Sequence, residues 1–188
     1  PWLEEHPEYF VSGTEEKLAK EPQNYIRINP QSRHSRESGN LGCKPDSEKQ
    51  VNELDSRFRG NDGSLILAYG RDPYFSGWPD TLQLNYGNPK TQEAMTGELM
   101  KIAGQCDGVR CDMAMLVLPD VFERTWNVRA QLFWPNATER VREQFPDFCF
   151  MAEVYWDMEW TMQQQGFDYA YDKRLYDRLR EGHARPVR

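Results

Sequence analysis

The chain has 188 residues, a net charge of −7 and a high aromatic content of 13%. This length is enough for one domain with a sizeable core. The acidic balance argues against a nucleic-acid-binding surface, because phosphate groups are bound by basic patches. An acidic, aromatic-rich chain instead suits a neutral, ring-shaped ligand, with the alternative that the large aromatic residues simply fill a core.

The first 80 residues are predicted to be mostly irregular. Proline and glycine interrupt the short apolar pieces of residues 1–28, which favours irregular structure with one brief helix at residues 15–20. Residues 31–63 are rich in Ser, Arg, Asn, Gly and Asp, so they cannot bury enough apolar surface to offset the entropy of ordering. We interpret them as a mostly disordered insertion.

The insertion contains an internal echo. Residues 35–40 and 56–61 both follow S-R-x-x-G-N, and the surrounding sequence resembles the translation of a dispersed bacterial DNA repeat inserted in frame into a surface loop. The alternative is an arginine-rich arm for nucleic acid. Interleaved acidic residues weaken that alternative, because they cancel the basic charge.

The next stretch contains aromatic residues that suit a sugar site. Residues 65–68 form a candidate strand, and residues 71–80 read R-D-P-Y-F-S-G-W-P-D, which predicts an ordered loop. Tyr74 and Trp78 in this loop could stack on a sugar ring or could pin the loop to the domain. Residues 90–103 then show apolar positions at helical spacing, and Pro89 suits the start of a helix.

Residues 107–115, D-G-V-R-C-D-M-A-M, predict a short buried strand that is entered through Asp-Gly. Alternate side chains of a strand share a face, so Arg110 and Asp112 are expected on one face and Val109 and Cys111 on the other. The alternative to a functional site is a structural ion pair between Arg110 and Asp112.

A second acid-bearing strand is predicted at residues 148–154, after a loop at residues 116–134 and a helix at residues 135–144. Glu153 ends this strand and shares a face with Met151 and Cys149. We expect apolar surroundings to raise the pKa of Glu153, as a general acid requires. An exposed glutamate at a strand end is the alternative.

The remaining chain continues the alternation with a short helix at residues 157–164, a strand at residues 167–171 and a helix at residues 173–180. Leu175, Tyr176 and Leu179 are expected to face inward from that last helix. Alternating strands and helices predict an α/β fold with a parallel sheet. Asp112 and Glu153 would then lie at the carboxyl ends of successive strands, which is where a (β/α) barrel places its chemistry.

The cysteines and histidines show no metal-binding pattern. The four cysteines have no C-x-x-C or zinc-ligand spacing, and the three histidines are scattered. Cys111 and Cys149 fall inside the two strands and are interpreted as small buried hydrophobic residues. We expect no metal and no cofactor.

No segment predicts a membrane anchor. The sequence has no apolar run that could cross a membrane and no signal-peptide pattern at its start, which favours a cytoplasmic protein. The chain opens with P-W-L-E-E and has no initiator methionine, so we expect its gene to begin further upstream.

Several segments in order resemble the alpha-amylase family of glycoside hydrolases, family 13. G-V-R-C-D-M-A-M resembles the family's G-x-R-x-D motif, and M-A-E-V-Y-W resembles its acid/base strand. W-P-D-T-L-Q-L-N-Y-G-N-P at residues 78–89 and Q-G-F-D-Y-A-Y-D at residues 165–172 extend the resemblance. It implies a partial TIM (β/α)8 barrel of about strands 4 to 6. Residues 1–80 would be an excursion between strands 3 and 4, and residues 81–188 a partial catalytic barrel.

The resemblance also implies a retaining glycosidase that acts on an α-glucan or an oligosaccharide. Asp112 would be the nucleophile, Glu153 the general acid and then the general base, and Arg110 would keep Asp112 ionised and oriented. Trp78, Tyr74 and Trp156 would bind the sugar.

Two motifs of the family, D-x-x-x-N-H and N-H-D, are missing from the sequence. Their side chains hold the sugar and stabilise the transition state in the family. We therefore expect an internal fragment that is inactive by itself. The alternative is a catalytically silent remnant that at most binds sugar or associates with itself.

Overall fold

The computed structural model describes residues 2–29 and 64–182 of the chain. The chain divides into two compact units, Pro1–Asn85 and Tyr86–Arg188. The insertion predicted at residues 31–63 lies outside the described residues. Within the described ranges, no helix is both long enough and apolar enough to span a membrane.

The first unit is built around a three-stranded antiparallel sheet of order β1-β2-β3. The central strand, β2, is buried on both faces, and its partners leave few polar backbone groups unpaired. The elements of this unit are α1 (Trp2–Glu5), a 3-10 turn (Pro7–Tyr9), α2 (Glu15–Lys20), β1 (Tyr25–Ile28), β2 (Leu65–Gly70) and β3 (Trp78–Leu82).

The helix expected at residues 15–20 is confirmed, and it begins where the hydroxyl of Thr14 accepts a hydrogen bond from the backbone N–H of Lys17. Residues 1–28 were otherwise expected to be irregular, which was wrong at β1. Residues 71–80 were expected to form a loop, which was wrong from Trp78 onward, where β3 begins. Both strands are short, and each is fixed by pairing with β2: Ile28 pairs with Leu65, and Trp78 with Gly70. Pairing across the sheet outweighed the local turn signals.

The second unit contains a parallel sheet of order β4-β5-β6 with helices between its strands, so the predicted α/β character is confirmed. Its elements are α3 (Pro89–Ala103), β4 (Gly108–Cys111), a 3-10 turn (Ala114–Val117), α4 (Pro119–Trp126), α5 (Trp134–Gln144), β5 (Cys149–Ala152), α6 (Glu159–Gln164), β6 (Tyr169–Ala170) and α7 (Lys173–Glu181).

The start of α3 follows the expected chemistry. The side chain of Asn88 accepts a hydrogen bond of 3.0 Å from the N–H of Lys90, and Pro89 occupies the first helical position, where a missing N–H costs nothing. The helix delivers the chain to β4 as expected.

The loop expected at residues 116–134 was wrong, because α4 lies within it. Val121, Phe122, Thr125 and Trp126 are buried at helical spacing, and Pro119 stands at the first position of the helix. Pro119 and the aromatic residues led us to expect a loop. In the structure Pro119 begins α4, and Phe122 and Trp126 lie on its buried face.

The parallel sheet has one covered face and one open face. Phe150 and Ala152 are fully buried on the covered face. Arg110, Met151 and Tyr169 form a cross-strand row on the open face, where the side chains of Met151 and Tyr169 are 36% and 62% exposed. By the same alternation, the side chains of Asp112 and Glu153 also lie on the open face, because each is two residues after a member of this row.

Two expectations about burial were wrong. Cys149 is half-buried, because it belongs to the open face of β5. Leu175, Tyr176 and Leu179 are 39%, 46% and 59% exposed instead of facing inward. Helical spacing gathers these three side chains on one face of α7, but spacing alone does not determine whether another element packs on that face.

Candidate active site

The carboxyl ends of β4 and β5 bring Asp112 and Glu153 together. Backbone pairing continues just past the strands, because the N–H of Glu153 donates to the carbonyl of Cys111 at 2.9 Å and the N–H of Ala114 donates to the carbonyl of Glu153 at 3.0 Å. Cys111 pairs with Ala152 across the two strands, so Asp112 and Glu153, the next residue on each strand, lie at the same edge of the sheet. The predicted juxtaposition of the two acids is therefore present.

Glu153 is 8% exposed, and its carboxyl group is surrounded by donors. The hydroxyl of Tyr155 donates to Oε1 at 2.6 Å, and Nη2 of Arg110 lies 3.0 Å from the same atom. The backbone N–H of Met113 donates to Oε2 at 3.2 Å. Donors that reach both oxygens favour the ionised carboxylate.

Arg110 forms its ion pair with Glu153, whereas the sequence led us to expect that it would serve Asp112. Both acids lie on the open face of the sheet that carries Arg110, and the long guanidinium side chain reaches across to the neighbouring strand end. The positive charge also lowers the pKa of Asp112, but it is the weakest of the influences on that group.

The pKa of Glu153 is shifted in the direction opposite to the sequence-based expectation. Hydrogen bonding with Glu153, followed by burial and by its negative charge, raises the pKa of Asp112. The hydrogen bonds that Glu153 receives from Asp112, Tyr155 and the Met113 amide lower its pKa and outweigh its burial. In the free protein, these contacts therefore favour the ionised form of Glu153 and the protonated form of Asp112.

Left-handed backbone conformations follow both acids. Met113 has φ 45° directly after Asp112, and Trp156 and Asp157 have φ 63° and 58° shortly after Glu153. Non-glycine residues adopt such angles at a cost of about 1–3 kcal/mol each, and they concentrate at functional sites. The two donors next to these residues, the Met113 amide and the Tyr155 hydroxyl, both bind Glu153.

A cleft of about 490 Å³ lies next to Tyr155, the residue whose hydroxyl binds Glu153. Tyr155, Trp156 and Asp157 form one wall, and α7 forms the other with basic and acidic side chains. Asp157 and Arg174 join the two walls through an ion pair of 2.5 Å. A volume of this size is in the range of small-molecule sites.

The residues expected to bind sugar lie in different parts of the chain. Trp156 lines the cleft next to the acid pair. Tyr74, which is 61% exposed, and Trp78, which is half-buried in β3, belong to the first unit. Their contact with a sugar stays a prediction.

Two groups at the site were missed from the sequence: the hydroxyl of Tyr155 and the backbone N–H of Met113. A signal for Tyr155 existed, since it follows Glu153 by two positions and so shares its face in an extended segment. The left-handed conformation of Met113 has no signal in a methionine side chain. Among residues 2–29 and 64–182, no cluster of His, Cys, Asp and Glu is arranged to hold a metal ion.

Two solved structures are partly similar to this chain. A debranching enzyme from Nostoc punctiforme aligns with 57% of this chain and 22% of its own, at 18% identity and a TM-score of 0.40. An alpha-amylase from Lactobacillus plantarum aligns with 64% of this chain and 28% of its own, at 24% identity and a TM-score of 0.43. The matched part thus spans less than a third of either enzyme. No protein-family model matches the chain, and no curated protein matches its sequence.

Proposed function

We propose that this chain carries the acid pair of an α-glucan-active retaining glycosidase of the alpha-amylase type. In this proposal, β4, β5 and β6 are three consecutive strands of a (β/α)8 barrel, and Asp112 and Glu153 are its catalytic acids. The observation that carries the proposal is the meeting of these two carboxyl groups at the carboxyl ends of adjacent parallel strands.

The reaction would proceed in two displacements. An oxygen of Asp112 attacks the anomeric carbon, the bond to the leaving oxygen breaks, and that oxygen takes the proton of Glu153. Water then attacks the anomeric carbon, gives a proton to Glu153 and releases Asp112. Each acid is thereby restored to its starting form.

The free protein has to rearrange before the first displacement. Asp112 must be ionised and Glu153 protonated, which is the opposite of the order that the hydrogen bonds favour. The guanidinium of Arg110 would then leave the carboxyl group of Glu153 and pair with that of Asp112, which lies two residues after Arg110 on the same strand face. The carboxyl groups would also part to the 5–5.5 Å or so that retention requires.

A sugar-binding protein without catalysis is the second candidate. The observation that favours it is the set of donors that holds Glu153 as an anion, since an anionic glutamate cannot protonate a leaving group. Such a site would still offer Trp156 and the cleft beside it to a sugar ring.

Covalent trapping separates the two candidates. The 188-residue chain would be incubated with 5-fluoro-α-glucosyl fluoride, whose fluoride leaving group needs no proton donor, and its peptides would be analysed by mass spectrometry. We expect a glycosyl adduct on Asp112 in the wild type and in Glu153→Gln, and none in Asp112→Asn. Asp107→Asn, at the other end of β4, is the matched control and should be labelled like the wild type.

Starch hydrolysis gives a second readout. Trapping needs only one displacement of a good leaving group, whereas starch hydrolysis needs repeated turnover with a poor leaving group. We therefore expect starch turnover by the 188-residue chain to stay at the level of Asp112→Asn, because the family's two missing motifs supply groups that bind the sugar and stabilise its charge. A folded chain without an adduct on Asp112 would overturn the glycosidase proposal. Binding of maltoheptaose by that unlabelled chain would then support the second candidate, and a lack of binding would contradict both.

A further inference from the structure

The hydroxyl of Tyr155 makes a short hydrogen bond to Glu153. It donates to Oε1 at 2.6 Å. This hydrogen bond raises the pKa of Tyr155 to about 12, with smaller effects of burial and of the negative charge on Glu153. The phenol therefore keeps its proton, and its role as a donor, throughout the physiological pH range.

The other donors to Glu153 act from a different strand end. Arg110 and the Met113 amide belong to the β4 side of the site. Tyr155 is a neutral side-chain donor, and it follows Glu153 in the segment after β5. Its hydroxyl can therefore be removed without changing the charge of the site or the backbone that carries Asp112.

The backbone after Tyr155 is fixed in an unusual conformation. Trp156 and Asp157 are consecutive left-handed residues, and the N–H of Met158 donates to the carbonyl of Tyr155 at 3.3 Å. The carboxyl group of Asp157 pairs with Arg174 on α7 at 2.5 Å. Two consecutive strained residues persist only where the surroundings over-determine them, so this turn fixes the backbone that directly follows Tyr155.

We propose that Tyr155 is a positioning residue that locks the carboxyl group of Glu153 in one orientation and holds it as an anion in the free protein. The turn at Trp156 and Asp157, anchored by Arg174, presents the tyrosine hydroxyl. The proposal concerns the acid pair of the proposed glycosidase, and its effect on catalysis rests on that function. Its effect on Glu153 itself does not.

Other charged and titratable groups face this site and have to be accounted for. Arg110 and Asp112 face Glu153 from the end of β4, and Tyr171 faces Tyr155 from the end of β6. Tyr171 is a half-buried tyrosine beside the same site, so Tyr171→Phe is a matched control for Tyr155→Phe.

The test follows the titration of Glu153 in the 188-residue chain by NMR of ¹³C-labelled glutamate carboxyl groups, with the signal assigned through Glu153→Gln. We expect Tyr155→Phe to raise the titration midpoint of Glu153 by about one unit, since a hydrogen bond to a charged group is worth on the order of a tenfold change in ionisation. Tyr171→Phe should leave the midpoint unchanged. An unchanged midpoint in a folded Tyr155→Phe would overturn the proposal.

The anchor is tested by Asp157→Gly, which removes the ion pair with Arg174 while relieving the left-handed strain. We expect a smaller rise of the Glu153 midpoint, and no further rise when the change is added to Tyr155→Phe, because both act through one hydroxyl. Additive rises would show that the turn acts independently of Tyr155 and would overturn this part of the proposal. These titrations stand whether or not Asp112 is labelled by the glycosyl fluoride, so failure of either proposal can be recognised separately.

Discussion

The guanidinium of Arg110 lies 3.0 Å from the carboxyl group of Glu153, so one cation links the ends of two adjacent parallel strands. Asp112, next on the strand face of Arg110, shares a hydrogen bond with the same carboxyl group. Two acids and one guanidinium cation therefore form a single electrostatic unit, and replacing any member is expected to shift the pKa of the acid or acids that remain.

This coupling predicts that Asp112→Asn stabilises the chain at pH 7. The folded pKa of Asp112 lies above its usual value of 3.8, so the ionised carboxylate next to Glu153 destabilises the fold above that pKa, and the effect vanishes below pH 3.8. An asparagine mimics the protonated form and can donate to Glu153. We expect a gain on the order of 0.5 kcal/mol in the free energy of unfolding, after allowing for the screening of an exposed group by solvent.

Urea unfolding at pH 7 and at pH 3.5 would measure the gain from Asp112→Asn. The gain should be present at pH 7 and absent at pH 3.5, and Asp107→Asn should show neither behaviour. A loss of stability at pH 7 would mean that the negative charge of Asp112 is favourable in the fold.

The close approach of β4 and β5 at Gly108 gives a second prediction about stability. A Cβ atom at this position would lie 2.8 Å from the carbonyl oxygen of Cys149, its pairing partner on β5. We expect Gly108→Ala to destabilise the chain by about 1–3 kcal/mol because the two strands would have to separate.

Gly97 on α3 is the matched control for Gly108, because a Cβ atom there meets open space. Gly97→Ala should stabilise the chain by about 0.5–1 kcal/mol, since alanine favours the helix. Urea unfolding of both variants checks the pair. Equal effects at the two positions would show that the close approach of β4 and β5 is not what requires Gly108.

The sequence predicts the strands and helices whose periodicity and capping residues are strong. The helices at α2, α3 and α5 and the acid-bearing strands are examples, and the face that gathers Arg110 and Asp112 follows from simple alternation. β1 was missed because its partners on β2 lie far along the sequence, as for Tyr25 and Ala68. β3 was missed because Gly77 and Pro79, on either side of its first residue, favour a loop. The ionisation of Asp112 and Glu153 could not be predicted, since it depends on distances between atoms on different strands.

The register of β1 and β2 predicts that the segment between them can be shortened. Ile28 pairs directly with Leu65, so the end of β1 and the start of β2 lie next to each other. We expect replacement of residues 30–63 by Gly-Gly to leave the free energy of unfolding unchanged or to raise it by up to about 2 kcal/mol, because a shorter loop costs less closure entropy. Thermal and urea unfolding would check this, and a lower midpoint would show that the segment stabilises the fold.

Removing the indole ring of Trp156 should weaken sugar binding, a prediction that rests on the proposed function. The indole ring lines the cleft beside Tyr155 and Glu153, where a sugar ring could stack on it. Trp156→Asn keeps a residue type that tolerates the left-handed backbone and removes the aromatic face. We expect the affinity for maltoheptaose to fall about tenfold, which corresponds to about 1.4 kcal/mol.

Trp160 on α6 is the matched control for Trp156, because it is 70% exposed and is not among the residues that line the cleft. Trp160→Asn should leave the affinity for maltoheptaose unchanged in isothermal titration calorimetry, with Asp112→Asn used as the background to prevent any reaction. The two tryptophans lie close in the sequence, so a general effect of losing an indole ring would appear in both variants. Equal affinities of the two variants for maltoheptaose would show that the sugar binds elsewhere. A loss of affinity in Trp156→Asn alone would place a sugar unit against the wall of the cleft that contains both Trp156 and Tyr155.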